Sequence, residues 1–333
     1  MLRILHNTKY DFIKSWKIAV ALTAVFITAG LIFLGVHGIN QSIEFTGGTL
    51  MQLEFTQPPN GGDIRSIVDQ AGYPGSEIQP FGSPRDFTVR AAGHAPGAAQ
   101  NVEKTARDIE AALHVKYGPT EPKVLRTEIV GARVGEELSR NAVLAIVISL
   151  FVTMLYLAFR FEWRFGIAAV LATAHDLLST LAFLAIMRLE VSLTVVAALL
   201  TVIGYSLNDT IIIFDRVREN LKKARPEPLY DVLNRSINET LPRSVLTHVT
   251  VAAATLSLLL FAGEVIRPFS WIMLFGIVTG TFSSIYVAGP ILLWIERKWP
   301  RQRGEKGSVR PAPTPVAPPR AAAKAPPVAA RTR

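Results

Sequence analysis

Cysteine is absent from the 333 residues, which excludes disulfide staples and leaves any domain outside a membrane to be held by its own core. There is no Gly-rich phosphate-binding loop followed by Lys and Ser/Thr, so the chain is expected not to spend ATP itself, and no nucleotide or other cofactor is expected. A Gly-x-Ser-x-Gly elbow and zinc-spaced histidines are missing as well, so the expectation is not an enzyme. If the chain does work, a gradient across a membrane is the obvious source. Charge is sparse, at 18% Asp, Glu, Lys and Arg. Hydrophobic residues make up half of the chain and the mean hydropathy is +0.31, too apolar for a soluble protein of this size unless those residues are clustered.

They are clustered into stretches of about 20 residues, the thickness of a hydrocarbon core. Six spans are expected, at roughly 17–36, 140–159, 165–187, 192–214, 244–262 and 271–295. The first is too long for the apolar core of a signal peptide, and Gly35 and Gly38 make a weak cleavage site, so it reads as a retained anchor. The formal charge of +9 is distributed by side. Arg3, Lys9, Lys14 and Lys17 precede span one, Arg160 and Arg164 separate spans two and three, and Arg216, Arg218, Lys222, Lys223, Arg225, Arg235 and Arg243 separate spans four and five. Arg297, Lys298, Arg301 and Arg303 follow span six, whereas the alternate loops hold only Arg188 and Arg267. The positive-inside rule therefore puts residues 1–16 and the tail 296–333 in the cytoplasm and residues 37–139 outside. The basic charge is read as a topology signal, and no nucleic-acid partner is expected.

The external segment changes period. Thr49–Gln57 alternates as a strand, Asp63–Ala71 is a short helix, Ser76–Gly82 and Asp86–Ala92 are strands around a Gly-Ser-Pro turn, Ala98–Tyr117 is a longer helix and Lys123–Val130 a last strand. The order βαββαβ is that of a ferredoxin-like α+β sandwich. Val102, Ala106, Ile109, Ala112 and Leu113 share one face of the longer helix. His94 and His114 are isolated and are read as solvent-facing rather than as metal ligands. The Pro- and Ala-rich basic tail cannot offset its ordering entropy and is expected to be disordered; contact with anionic membrane lipid or a ribosome and an idle solvated tail are the alternatives there.

Ionisable residues at bilayer depth cost a few kcal/mol each and need a reason. Asp176, beside His175, lies near the middle of span three. Asp209, beside Asn208, lies about a turn and a half above the cytoplasmic end of span four. Thr201, Tyr205, Asp209 and Arg216 share one helical face, and Asp215 adds a second acid at that end. Arg243 opens span five just after Pro242, where its side chain can snorkel toward Asp209. Low dielectric favours the neutral carboxylic acid and a nearby guanidinium the carboxylate, so moving Arg243 toward or away from Asp209 would release or load a proton. Composition leaves a static ion pair and a proton relay equally open. An intramembrane aspartate dyad is disfavoured, because Asp176 lies about 16 Å and Asp209 about 8 Å from the cytoplasmic ends of their spans. Glu190 and Glu264 are read as solvated, and Gly276, Gly280 and Ser284 as a small-residue packing face.

Motifs in order then carry a resemblance. IEFTGGT (43–49) follows span one, VGARVGEEL (130–138) leads into span two, IGYSLNDTIIIFDRVREN (203–220) ends span four, LPRSVLTHVT (241–250) begins span five and FGIVTGTFSSIYVAGP (275–290) fills span six. With the six-span layout, the chain resembles the SecF family, the smaller subunit of the SecDF protein-export complex in the RND-type transporter superfamily. Glu44 stands where the family usually has Asp, Ala132 where it often has Pro, and His248 and its neighbours where span five commonly carries Thr-Ser; none of these is expected to touch Asp209 or Arg243.

The resemblance implies an α-helical polytopic protein of the bacterial inner membrane, paired with SecD beside SecYEG, with YajC as an accessory partner and unfolded preprotein as substrate. It implies that proton-motive force drives translocation, that Asp209 and Arg243 form the relay and that SecD supplies a further carboxylate. Asn208, Tyr205, Asp176, His175, Asp215 and Arg216 are its supporting intramembrane polar residues. The Gly276–Ser284 face is a candidate contact for SecD. An exporter of lipid or small solutes and a structural scaffold for the translocon remain as alternatives.

Overall fold

The computed structural model describes residues 8–92, 102–223 and 227–300. His94, Arg3, Arg225, the beginning of the expected 98–117 helix and the tail from residue 301 lie outside them. Among the described residues, six helical segments are long and apolar enough to cross a membrane. They are α1 (Trp16–His37), α5 (Ala132–Arg160), α6 (Trp163–Ile186), α7 (Leu193–Lys223), α8 (Leu229–Phe261) and the pair α9 (Arg267–Ser283) and α10 (Gly289–Lys298), joined by a π-helical turn at Ser284–Ala288. Between α1 and α5 lie α2 (Ile43–Thr46), β1 (Gly48–Glu54), α3 (Gly61–Gln70), β2 (Glu77–Phe81), β3 (Ser83–Ala92), α4 (Val102–Tyr117) and β4 (Lys123–Val130).

The four strands form one antiparallel sheet in the order β2-β3-β1-β4. Its inner face carries Met51, Leu53, Ile78, Phe87 and Val89, covered by Ile64 and Val68 of α3 and by Ala106, Ile109 and Leu113 of α4. Alternation in the strands and the i, i+3, i+4 spacing in the helices aim these residues at one another, and the result is a core that needs no disulfide.

Several helices extend beyond the apolar runs. α5 begins eight residues earlier than expected, and α7 and α8 continue past their apolar runs as an antiparallel hairpin. Residues 216–243, expected as a basic loop, are thus largely helical. Val217, Val232 and Leu233 are buried between its arms, and the Asn220 amide donates to Ser236 Oγ at 3.0 Å and to Glu239 at 2.8 Å. Apolar content marks only the part of a helix that meets lipid, so a helix that goes on into water is cut short by that measure. α8 also runs through Pro242, which the sequence suggested as a start. Residues 296–298, expected in the tail, are the last turn of α10, and Glu296 pairs there with Arg164 at 3.5 Å.

The segment before α1 lies along α8. Asn238 exchanges two hydrogen bonds with the Tyr10 backbone, and Asp11 accepts from Tyr230 Oη at 2.6 Å and from Asn234 at 2.7 Å. Donation by Tyr230, with Asn234 adding to it, holds the Asp11 carboxyl below its ordinary range. A depressed carboxyl stabilises the fold above its unfolded value, so this tie is present at neutral pH and is lost as pH falls through the carboxylate range.

The sheet domain is fastened to the bundle at the α6–α7 loop. Val191 N–H donates to Asn40 O at 2.7 Å and Ser42 N–H to Val191 O at 2.9 Å. Glu44 accepts from Leu193 N–H at 2.5 Å, at the start of α7. Arg90 of β3 pairs with Glu77 at 3.0 Å and with Glu190 at 2.5 Å. Glu190 therefore joins domain to bundle rather than standing in solvent, and Glu264 pairs with Arg267.

The Gly-Gly pair ending α2 makes the turn into β1 possible, with φ of +70° at Gly47 and +136° at Gly48. A Cβ on Gly135 would come within 2.9 Å of Gly47 N and Phe45 O, so the glycines of IEFTGGT and VGARVGEEL meet as backbone against backbone. Gly135→Val is expected to destabilise the protein by about 1–3 kcal/mol through overpacking, measured as a lower melting temperature in detergent. An unchanged melting curve would mean that α2 moves aside freely.

Candidate functional site

α6, α7 and α9 are the most buried spans, while α1, α5 and α8 are the least. α7 and α9 come together over their small residues. A Cβ on Gly276 would lie 2.2 Å from Val202 Cγ2, and one on Gly280 3.1 Å from Ser206 Cβ. The Gly276–Ser284 stripe is therefore spent inside the chain, which corrects its expected availability to a partner. This approach delivers Ser283 and Ser284 of α9 and the π turn to polar groups of α6 and α7. Thr210 and Ser284 share a hydrogen bond of 2.8 Å.

The two intramembrane aspartates differ in how they are satisfied. Asp176, 1% exposed, accepts from Ser283 Oγ at 2.6 Å and from Ser206 Oγ on one oxygen, while the other lies 3.1 Å from His175 Nδ1. Contacts from three elements thus reach both of its oxygens, as a buried carboxyl that fixes packing requires, while His175 Nε2 is buried without a hydrogen-bond partner among the described residues. Asp209, 3% exposed, accepts one bond, from Ser244 Oγ at 2.7 Å on Oδ1. Its Oδ2 has no hydrogen-bond partner among the described residues. The nearest cationic candidate is His248 Nε2, at 3.9 Å. Tyr205 lies one turn from Asp209 on α7, its ring edge-on to His248 at 5.3 Å and its hydroxyl buried without a hydrogen-bond partner among the described residues.

The structure does not form the expected Asp209–Arg243 ion pair. Ser244 and His248, four residues apart, occupy the face of α8 that meets α7, and Arg243, about 100° away around the helix, is exposed. Snorkelling argued reach, but azimuth decided the contact. For the same reason the departure at position 248 does reach Asp209, contrary to expectation. Asn208 is exposed on the outer side of α7. Asp215 and Arg216 belong to the α7–α8 hairpin and not to the site around Asp209: Asp215 pairs with Arg160 at 3.1 Å, and Arg216 with Glu239 at 2.6 Å and Glu219 at 2.5 Å. Sequence reasoning missed Ser244, Thr281 and the roles of Ser206 and Ser283. The signal available was their spacing, since Ser244 and His248 lie one turn apart and Ser283 is seven residues after Gly276.

Comparison with known proteins decides the family. The description "Protein export membrane protein SecD/SecF, C-terminal" matches residues 110–298, and "SecD/SecF GG Motif" matches residues 32–59. The chain is 59% identical over 305 residues to the protein translocase subunit SecF of Gemmatimonas aurantiaca, covering 90% of this chain and 91% of that one. The chain belongs to the SecF family of protein translocase subunits. A SecF of Desulfurispirillum indicum is 43% identical over 287 residues, covering 85% of this chain and 90% of that protein. The crystal structure of SecDF, a translocon-associated membrane protein from Thermus thermophilus, matches with a TM-score of 0.79 at 33% identity, over 89% of this chain and 40% of that chain. SecDF in a super-membrane-facing form matches with a TM-score of 0.64 at 35% identity and the same coverage. This SecF-type chain therefore spans less than half of the SecDF chains to which it is similar. Its glycine motif is the turn and helix contact described above, and α5 to α10, with Asp176 and Asp209, lie inside the longer match.

Because Ser283 supplies one of the donors to Asp176, Ser283→Ala is expected to cost about 1–3 kcal/mol, the penalty of an under-satisfied buried polar group. Thermal unfolding in detergent reads it, and a loss below a few tenths of a kcal/mol would mean that water or His175 replaces the hydroxyl.

Proposed function

We propose that the chain is one half of a proton-driven unit that acts with SecD to promote translocation of unfolded preprotein through SecYEG. It sits in the bacterial inner membrane with both ends in the cytoplasm. The observation that carries this reading is the orphan Oδ2 of Asp209, a buried carboxyl oxygen held ready for a proton, whereas both oxygens of Asp176 have contacts. A purely structural aspartate would be expected to be satisfied on both oxygens. The gradient supplies the work, no nucleotide site or enzymatic step is assigned to this chain, and the basic residues on alternate loops support the orientation.

Arg243 is exposed one residue from Ser244, and hence at the depth of Asp209. A guanidinium there calls for a partner, and we assign that partner to a carboxylate of SecD, so that the relay is completed between subunits. The external domain, with element order βαββαβ and strand order β2-β3-β1-β4, is read as a ferredoxin-like sandwich that contacts the emerging polypeptide.

Asp209→Asn, with normal membrane insertion, is expected to abolish the gradient-dependent part of preprotein translocation in vesicles holding the partner subunits. Wild-type rates would replace the relay with a scaffold. Arg243→Ala should do comparable harm, and Arg243→Lys should recover only part of the rate, because the fork geometry of Arg is not reproduced; full recovery by Lys would reduce Arg243 to a simple positive charge.

A further inference from the structure

The groups around Asp209 specify where a proton is held. His248 Nδ1 lies 3.0 Å from Thr281 Oγ1 on α9, and the Thr281 hydroxyl is itself directed at Ile277 O, 2.8 Å away. A threonine hydroxyl has one hydrogen. With that hydrogen on Ile277 O, the ring must donate from Nδ1, and the neutral imidazole is the Nδ1–H tautomer. Its Nε2 then carries a lone pair, pointed toward the partnerless Oδ2 of Asp209 at 3.9 Å. Two acceptors facing each other in a buried site repel unless a proton lies between them.

From this geometry we infer that Asp209 and His248 hold one proton in common and pass it between them, so that His248 is a second proton-carrying residue of this chain. In the step, the Asp209 Oδ2–H bond breaks and an Nε2–H bond forms on His248, giving a carboxylate and an imidazolium; the reverse step restores the neutral pair. Ser244 steadies Asp209 through Oδ1 and Thr281 steadies the ring through Nδ1, which leaves the two reacting atoms free. At 3.9 Å the pair is about 1 Å beyond hydrogen-bond reach, so transfer requires α8 and α7 to close slightly or one water to bridge. The titratable groups facing the ring are Asp209 and Tyr205 from α7; the α9 contact is Thr281, which does not titrate, and Arg243 on α8 itself points elsewhere. Histidine titrates between about pH 5 and 8, where a carboxyl alone ordinarily does not.

This inference rests on the proton-relay reading of Asp209, and the test separates the two. The full chain, assembled with its partner subunit in vesicles, is compared as wild type, His248→Gln, His248→Ser and Asp209→Asn for gradient-dependent translocation across about pH 5 to 8. The expected result is abolition in Asp209→Asn, and in both His248 variants a several-fold lower rate with a flattened pH dependence. Abolition in Asp209→Asn with an unchanged pH profile in both His248 variants would overturn this inference and leave the relay standing. Wild-type behaviour of Asp209→Asn would overturn the relay and this inference together. Nitrogen-15 NMR of the histidine-labelled chain, at a pH where the ring is neutral and the shared proton is retained, gives a readout independent of activity. The Nδ1–H tautomer at His248, lost in Thr281→Val, is expected, whereas an Nε2–H tautomer would make the ring a fixed donor to Asp209 and overturn the proposal.

Discussion

The contact between α7 and α9 organises the bundle. Helices in lipid gain little from hydrophobic burial against one another, so close approach and polar contacts must hold them together. Gly276 and Gly280 leave room for Val202 and Ser206 to sit almost on the backbone of α9. That proximity carries Ser283 to Asp176 and Ser284 to Thr210, and it places Thr281 beside His248 of α8. A wider spacing would leave a buried carboxyl without its donors, at the cost attached to any unsatisfied polar group in low dielectric.

The two aspartates then divide the work of one network. Asp176 is enclosed by hydroxyls from α7 and α9, and it resembles a rivet in the protein interior. Asp209 sits one face away on α7 toward α8, where Ser244 occupies one oxygen and the other is open. Tyr205 has a buried hydroxyl without a partner on the same side. Under-satisfied groups are expected where a structure keeps a reactive arrangement at some expense of stability. The π turn at Ser284–Ala288, beside the Thr210–Ser284 contact, is another departure from regular helix of the kind often found at functional positions.

Outside the bundle, the glycine turn after α2 and the loop at Val191 fasten the sheet domain to the helices. Glu44 ties α2 to the start of α7, the helix that bears Asp209, and Arg90 ties the sheet to Glu190 just before it. Both ties lie at the N-terminal end of α7, so the helix that bears Asp209 is joined directly to the sheet domain.

Spans, their number and the sheet domain were legible in the sequence because each follows from residue chemistry along a short window: apolar length for a membrane crossing, alternation for strands, glycine for positive φ. Asp209 and Asp176 stood out for the same reason, since charge in an apolar run is a local property. Contacts between elements were not legible. Arg243 was assigned to Asp209 by reach along the helix, but the direction in which a side chain leaves α8 depends on how that helix is rotated against α7. That rotation is set by packing over the whole length of both helices, and it turned Ser244 and His248 inward and Arg243 outward. Chain composition determined a six-span protein with two buried acids; tertiary packing alone decided which acid is closed, which is open and which residue faces the open one.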